Sequence, residues 1–234
     1  MEIIVDLCNQ HHGSLAELKR MTLNAWSAGA DVVKVQLMDS EKFFGTTDKK
    51  YRDIDFETFA SLKDFCDTLG VPLMATPFDM ERLEWIKSLG IRRHKIASRT
   101  VKEDPKLCEA ILAENKPTII STGACKKDEF PFGHDINIKY LFCVSKYPTL
   151  LHDPDLKDMP GTFHLGGYYG YSDHTVGIAA PLLSFFRNAK ILEKHYSNNT
   201  MAQSKFEGGH LGSFDQQSLK QFKDLTKEIK IIRS

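Results

Sequence analysis

The stretch that decides the fold is GYSDHT, residues 170–175. It follows a small and aromatic run at 166–169 that predicts a strand, and it precedes an apolar run at 176–187 that predicts a helix. Ser172 and His174 lie two residues apart at this strand end, so their side chains point to the same side. The first unit that the sequence predicts is therefore a strand with a polar end that leads into a helix.

The next predicted strand, residues 190–195, ends in the same way, with Glu193 and His195 on one side. His174 and His195 would then stand at the ends of adjacent strands, where they could bind one metal ion. The alternative is that each histidine is a hydrogen-bonded residue of the core. These two strands alone leave both interpretations open.

The rest of the chain alternates strand-forming runs with helical patterns. Further strands are predicted at residues 3–6, 31–37, 72–76, 93–97, 117–121 and 138–143. Helices are predicted at 14–29, 55–69, 79–89, 104–114 and 216–231, with a weak helical segment near 153–158 and a charged loop at 38–54. Eight strands, nearly all followed by helices, favour a closed (β/α)8 TIM barrel over a doubly wound sheet, which usually has fewer strands.

Little room remains for a fifth helix, because residues 124–137 contain Pro131 and Gly133. The barrel is therefore expected to be compact, with helix 5 shortened or missing. It is also expected to form a single catalytic domain over residues 1–234.

Composition excludes several classes of partner. The chain has 26% charged residues and a formal net charge of zero, without a long basic run, so no nucleic-acid partner is expected. No apolar stretch reaches the length of a transmembrane helix, and residues 1–15 lack the order of a signal peptide, so no membrane partner is expected. The five cysteines form no C-x-x-C pair, which is typical of reduced thiols in a cytoplasmic protein.

Polar residues in the predicted strands indicate where a site lies. Barrel strands are buried on both faces, so a polar residue within them needs a reason. Such residues lie in or just past the strands: Asp6, Lys34, Gln36, Lys95, Ser98, Ser121 and Ser145. They are expected to meet at the carboxyl ends, where two lysines and several hydroxyls suit a phosphate and two histidines suit a divalent ion. The alternative is that the two lysines only pair with Asp6 and Glu193 for structure.

Several short motifs follow one another along the chain: QHHGS at 10–14, AGADVVKVQ at 28–36, ATPFD at 75–79, KIAS at 95–98, STG at 121–123, YPT at 147–149, GYSDHT at 170–175 and EKH at 193–195. Singly, most of these motifs are weak. In this order they resemble the N-acetylneuraminate (sialic acid) synthase family, over residues 3 to about 222.

The resemblance implies a TIM-barrel transferase that joins phosphoenolpyruvate to an N-acyl amino-sugar aldehyde, giving a sialic-acid-like 3-deoxy-2-keto sugar acid and phosphate. It implies a divalent metal cofactor, most often Mn²⁺ with Mg²⁺ or Co²⁺ as alternatives, held by His174 and His195. Those two histidines and Asp6 would be catalytic. The residues expected to bind phosphoenolpyruvate are Lys34, Lys95, Ser98, Ser145 and Ser172, and those expected to line the substrate pocket are Gln36, Thr76 and Tyr147.

The chain departs from the family pattern mainly in the half of the site that would bind the sugar. Asp6 stands in place of a glutamate, SRT at 98–100 lacks a carboxylate, FCV at 142–144 replaces His-Cys-Thr, and FEGG at 206–209 lacks an aspartate. The family's C-terminal antifreeze-like domain is not expected within residues 1–234. The expected partners are a second copy of the chain in a homodimer, as the family's dimers suggest, or a separate chain that supplies this domain. The alternatives are an altered or inactive relative that binds phosphoenolpyruvate or a sugar phosphate, and another metal-dependent aldolase.

Overall fold

Eight parallel strands form a closed barrel in chain order in the computed structural model of the protein. The structure describes residues 1–199 and 211–233, so the sequence departure at 206–209 lies outside the described residues. The strands are β1 (Glu2–Asp6), β2 (Val32–Leu37), β3 (Leu73–Pro77), β4 (His94–Ile96), β5 (Thr118–Ser121), β6 (Ile138–Cys143), β7 (Tyr168–Asp173) and β8 (Ile191–His195). The predicted TIM barrel is confirmed.

Helices follow most of the strands. They are α1 (Leu15–Ser27), α2 (Ser40–Phe44), α3 (Phe56–Leu69), α4 (Met80–Ser88), α5 (Ser98–Glu103), α6 (Pro105–Ala113), α7 (Ala179–Phe186) and α8 (Gln216–Arg233), with 3-10 helices at Thr47–Arg52 and Pro154–Asp158. Residues 122–137, all of them described, contain no helix between β5 and β6, so the missing fifth helix is confirmed. No helix in the described part of the chain is long and apolar enough to cross a membrane.

Side-chain caps explain where the predicted helices begin. Ser14, where the first helix was predicted to begin, accepts a hydrogen bond from the backbone N–H of Glu17 at 3.2 Å. Aspartates cap three further helices, α3, α4 and α6, in the same way: Asp55, Asp79 and Asp104. Gly70 ends α3 with a φ of +71°, a left-handed conformation that glycine adopts without strain.

Two glycines explain why predicted boundaries near the GYSDHT stretch were wrong. Strand β7 is Tyr168–Asp173 rather than residues 166–169, so GYSDHT forms the strand itself and its exit. Gly167 has a φ of +91° and Gly177 a φ of +81°, and neither value suits a regular strand or helix. The strand therefore begins after the first glycine, and α7 begins at Ala179, after the second.

The segment around residues 38–54 was also predicted incompletely. It is more than a loop, because it contains α2 and the 3-10 helix Thr47–Arg52. The short helix α5, which starts directly after β4, was not predicted at all. Its N-terminal flanking residue, Ala97, makes no side-chain capping hydrogen bond, so the usual sequence signal is missing.

Alternation along the strands divides the barrel interior into an apolar layer and a polar layer. The apolar layer is a separate buried cluster of Ile4, Val32, Met74, Ile119, Leu141 and Ile191. Two residues further along the same strands stand Asp6, Lys34, Thr76, Ser121, Cys143 and Glu193. Because residues i and i+2 share a strand face, the polar side chains lie next to the apolar layer on its carboxyl side. The barrel thus holds charged groups in its interior, away from bulk water.

Aromatic rings cover the barrel wall where the fifth helix is missing. This aromatic cover consists of Phe130, Tyr140 and Tyr168. The ring centroid of Phe130 lies 4.9 Å from that of Tyr140 and 5.0 Å from that of Tyr168. The Tyr140 hydroxyl accepts from the N–H of Phe132 at 3.1 Å and donates to the carbonyl of Gly133 at 3.0 Å. These contacts fix the segment between β5 and β6 without a helix.

Candidate active site

The polar strand ends line one cavity, here called the inner cavity. The structure brings together all the predicted site residues but one: the lining contains Asp6, Lys34, Gln36, Thr76, Lys95, Ser98, Tyr147, Ser172, His174 and His195, along with Ala97, Ser121, Cys143, Asp173, Glu193 and Lys194. The exception is Ser145, which is exposed and lines two neighbouring pockets. Its role in binding phosphoenolpyruvate stays a prediction.

A buried ion pair joins the ends of β1 and β2. Nζ of Lys34 lies 2.7 Å from Oδ2 of Asp6 and 3.1 Å from Oγ1 of Thr76. Oε1 of Glu193 is 3.5 Å away from the same nitrogen. Burial lowers the pKa of Lys34, but the two carboxylates outweigh burial and raise it above its ordinary value. Lys34 is therefore a charged ammonium group inside the barrel.

Asp6 connects this lysine with the imidazole of His195. Its Oδ2 also accepts from Nε2 of Gln36 at 2.8 Å, and its Oδ1 accepts from the N–H of Cys8 at 2.9 Å. Nε2 of His195 lies 3.7 Å from Oδ2. The strand register explains this position, since Asp6 stands opposite Lys34 on β2 and opposite His195 on β8.

Glu193 connects the two buried lysines, although from the sequence it was only a candidate structural partner. Its Oε2 accepts from the Ser172 hydroxyl at 2.8 Å and lies 3.4 Å from Nζ of Lys95. Burial raises the pKa of Glu193, but Lys95 and Lys34 outweigh burial and bring it to about 2. Burial lowers the pKa of Lys95, against the opposing effect of Glu193, and its Nζ also donates to Ser121 at 2.9 Å. The sequence had already placed Glu193 on one strand face with His195, which is the face that lines the inner cavity.

The two histidines face each other at the opening of the inner cavity, with ring centroids 5.3 Å apart. Nδ1 of His174 is 2.8 Å from the carbonyl oxygen of Val144. A carbonyl only accepts, so this nitrogen carries a proton, and in the neutral imidazole the lone pair is on Nε2. The ring centroid of Tyr147 lies 4.3 Å from that of His174 and 6.0 Å from that of His195. The rings of Tyr147 and His195 are nearly parallel. The predicted pairing of the imidazoles is thus present in the structure.

These imidazoles fit part of the ligand set of a divalent ion. Two nitrogen ligands would leave the other positions to oxygen atoms of water or substrate, as catalytic metal sites require. Among the residues that the structure describes, no three His, Cys, Asp or Glu side chains form a complete metal site. Metal binding by His174 and His195 therefore stays a prediction.

A second buried ion pair holds the ends of β7 and β8 and was not predicted. Asp173 and Lys194 stand opposite each other in the strand register, and both side chains are fully buried. Nζ of Lys194 contacts Oδ2 of Asp173 and donates to the carbonyl of Thr175 at 2.6 Å. The N–H of Thr175 donates to Oδ1 of Asp173 at 3.0 Å. Each member of the pair precedes a cavity histidine in the sequence, so the pair fixes the backbone that positions both imidazoles.

Fold and cavity together define a class: a TIM barrel whose carboxyl-end cavity holds paired lysines, carboxylates and facing histidines, the setting in which barrel enzymes place their active sites. Within that class, the chain belongs to the NeuB family, whose family model matches residues 21–233. The family predicted from the sequence motifs is confirmed.

Relatives resemble the chain over most of its length. The N,N'-diacetyllegionaminic acid synthase of Legionella pneumophila is 30% identical, across 93% of this chain and 69% of that protein. The uncharacterized protein MJ1065 of Methanocaldococcus jannaschii is 28% identical, across 95% of this chain and 68% of that protein. The crystal structure of the N-acetylneuraminic acid (sialic acid) synthetase from Leptospira borgpetersenii, in complex with citrate, matches with a TM-score of 0.84 and 27% identity, over 99% of this chain and 84% of that chain.

Proposed function

We propose that the protein condenses phosphoenolpyruvate with an N-acyl amino-sugar aldehyde to give a sialic-acid-like 3-deoxy-2-keto sugar acid and phosphate. One observation carries this proposal: two buried lysines, Lys34 and Lys95, line the same cavity as the facing histidines His174 and His195. Membership of the NeuB family supports it, because relatives that match the chain are synthases of sialic-acid-type sugars.

The lysines and hydroxyls supply what a phosphate group needs. Two ammonium groups provide charge, and serine hydroxyls provide directed hydrogen bonds. The Ser98 oxygen accepts from the N–H of Gly123 at 2.9 Å, which orients its own hydroxyl hydrogen toward another acceptor. Ser172 now donates to Glu193 and can turn to a ligand oxygen instead.

The charge balance of the inner cavity favours binding of the anion together with a cation. Lys34 and Lys95 are matched by Asp6 and Glu193, so these four buried groups sum to zero. Phosphoenolpyruvate carries about three negative charges at neutral pH, from its phosphate and its carboxylate. A divalent ion held by the two histidines would offset most of this charge and would act as a Lewis acid on the aldehyde oxygen.

The chain's own residues then have separate tasks in the condensation. C3 of phosphoenolpyruvate bonds to the aldehyde carbon, water adds at C2, and the bond from C2 to the phosphate oxygen breaks. One proton of the water ends on the new hydroxyl and the other on the released phosphate. Lys34 and Lys95 hold the leaving phosphate, and Oδ2 of Asp6 is placed between Lys34 and His195 to orient the acceptor or pass a proton.

The proposal is tested by measuring phosphate release from phosphoenolpyruvate with Mn²⁺ across a panel of N-acyl hexosamines. Release that depends on both the sugar and the metal is expected. Mn²⁺ should raise the melting temperature of the wild type but not of a His174→Ala, His195→Ala double variant, and phosphoenolpyruvate should not stabilise Lys95→Ala. Lys220→Ala, in an exposed ion pair on α8, is the matched control and should behave as the wild type. No release with any sugar and no stabilisation by phosphoenolpyruvate would refute the proposal.

A second candidate is an altered relative that binds phosphoenolpyruvate or a sugar phosphate without turnover. The geometry of Asp6 favours it, because both of its carboxylate oxygens already accept hydrogen bonds from the protein. Asp6→Glu tests this candidate. If the shorter side chain is what prevents turnover, the variant should release phosphate where the wild type does not, with unchanged affinity for phosphoenolpyruvate.

A further inference from the structure

A second, wider cavity adjoins the inner one and is here called the outer chamber. The two cavities share Gln36, Ala97, Ser98, Tyr147 and His195 in their linings, so a ligand in one reaches the other. Counted together with the solvent space at its mouth, the outer chamber has about 1060 Å³ of empty volume, against about 400 Å³ for the inner cavity counted in the same way. The outer chamber is therefore the compartment with room for the second substrate.

Aromatic side chains form one wall of the outer chamber. Phe43, Phe44 and Phe78 all belong to its lining. The ring centroid of Phe43 lies 4.8 Å from that of Phe44 and 4.9 Å from that of Phe78. Packed rings of this kind suit the apolar face of a sugar or the methyl group of an acyl substituent.

Cationic groups outnumber acidic groups in the same lining. It contains Arg52, Arg99 and Lys102, and, among the described residues, a single carboxylate, that of Glu103. Three positive charges against one negative charge leave a net charge of +2 when the histidine is neutral. The paired charges of the inner cavity cancel, so this excess is a property of the outer chamber alone.

Arg52 carries a donor that lacks an acceptor. Its Nε is fully buried and has no hydrogen-bond partner in the described residues. The guanidinium carbon lies 4.9 Å from the ring centroid of Phe44 and 5.7 Å from that of Tyr51. Contact with the rings holds the flat guanidinium in one orientation. Because solvent does not reach Nε, a ligand in the outer chamber would contact the part of Arg52 that lines it.

Arg99 is oriented in the same manner. Its guanidinium carbon lies 4.1 Å from the ring centroid of Phe43. Within residues 1–199 and 211–233 its one ion pair is with Glu103, and both side chains are about half exposed. Water therefore weakens this pair, and a ligand can compete for the guanidinium. The residue after it is Thr100, a buried threonine without a carboxylate, so this position adds no negative charge beside Arg99.

We infer that the outer chamber selects an acceptor sugar that carries an anionic group, a phosphate or a carboxylate, at the end away from its aldehyde. This inference rests on the proposed condensation, because it names the class of the second substrate. Arg52 and Arg99 are the specificity-determining residues, since two planar guanidinium groups can bind the oxygens of one anion. The aldehyde end then lies at His195 and Tyr147, where the two cavities meet.

Sugar alcohols test this inference without turnover, because they lack the aldehyde and cannot react. Isothermal titration calorimetry would compare a 2-acetamido-2-deoxyhexitol with its 6-phosphate and with its 6-carboxylate counterpart. Each anionic alcohol should bind at least about tenfold more tightly than the neutral one, the size expected for charge-assisted hydrogen bonds. Higher salt should narrow this difference. If the 6-phosphate binds more tightly than the 6-carboxylate, the acceptor is a sugar phosphate. If the 6-carboxylate binds more tightly, the acceptor is a sugar acid.

Variants connect the preference to the two arginines. Arg52→Gln and Arg99→Gln should each lower the affinity for the anionic alcohols by about tenfold. The affinity for the neutral alcohol should stay the same. Arg92→Gln, an exposed arginine at the opposite end of the barrel, is the matched control and should change neither. If Arg52→Gln fails to fold, Arg99→Gln and the salt dependence of the wild type decide the question.

Equal binding of neutral and anionic alcohols, no measurable binding of the anionic ones, or no loss in either variant would overturn the inference. The condensation is judged separately, by phosphate release from phosphoenolpyruvate. A protein that releases phosphate with neutral sugars only would keep the proposed function and lose this inference.

Discussion

Glu193→Gln is the most informative single substitution in the inner cavity. The side chain of Glu193 lies between Lys34 and Lys95, and its pKa falls from an ordinary 4.5 to about 2 because these lysines outweigh burial. At about 1.4 kcal/mol per pH unit, that difference corresponds to about 3 kcal/mol of folding stability at neutral pH. The amide keeps the shape of the side chain and removes its charge. At pH 7 the free energy of unfolding of the variant should therefore be about 3 kcal/mol lower than that of the wild type.

The pH dependence gives this prediction its sign. A carboxylate with a lowered pKa in the folded state stabilises fully above its unfolded pKa of 4.5, and that stabilisation is lost as pH falls toward about 2. The variant lacks the carboxylate, so the difference between variant and wild type should shrink between pH 4.5 and pH 2. By pH 3 the difference in the free energy of unfolding should be less than half of its value at pH 7.

Urea unfolding at several pH values would measure this difference. The matched control is Glu84→Gln, which breaks an exposed pair with Lys87 and should cost less than about 1 kcal/mol at every pH. Inorganic phosphate should stabilise the Glu193 variant more than the wild type, because two ammonium groups then lack their buried anion. A difference that stays constant from pH 7 to pH 3 would refute the reasoning, since it would mean that the two lysines do not lower the pKa of Glu193.

Three further substitutions test the structure around the site. Gly170→Ala should destabilise the protein by at least about 2 kcal/mol in urea unfolding, because a Cβ there would lie 2.2 Å from the backbone oxygen of Ile191. Lys194→Met should cost about 3 kcal/mol by the same measurement, since it leaves the buried charge of Asp173 without its ammonium partner; a loss below about 1 kcal/mol would contradict this. Tyr140→Phe should lower thermal stability by about 1–2 kcal/mol, because two hydrogen bonds of the segment between β5 and β6 are lost.

Strand alternation made most of the inner cavity predictable from the sequence. Lys34 with Gln36, and Ser172 with His174, are spaced by two residues, so each pair had to share one face of its strand. Closure of eight strands then brought those faces together. The same rule put Glu193 on the cavity face and left pairing with the lysines as an alternative. It could not show that this one carboxylate contacts both lysines, because that depends on the register between distant strands.

The rule fails where a strand ends. Ser145 follows β6 by two residues, and the chain there has already left the strand, so its side chain lies outside the inner cavity. Arg52 and Arg99 come from a 3-10 helix and a short helix, where no period of two applies, and nothing in the sequence placed them in one chamber. The sequence shows where glycines stand, such as Gly177, but not that φ there is positive, which is what moved the start of α7.

The aromatic cover determines how this barrel can vary. A helix on a barrel wall is a module that tolerates exchange as long as it presents an apolar stripe to the strands. Between β5 and β6 the described chain has no such helix. Coverage of the strands there depends on contact of Phe130 with Tyr140 and Tyr168, and Phe130 lies in a segment of fixed length. An insertion or deletion at 122–137 would withdraw that ring and admit water to the strands. Although this side of the barrel lacks a helix, it therefore leaves evolution and engineering little freedom to change the length of the chain.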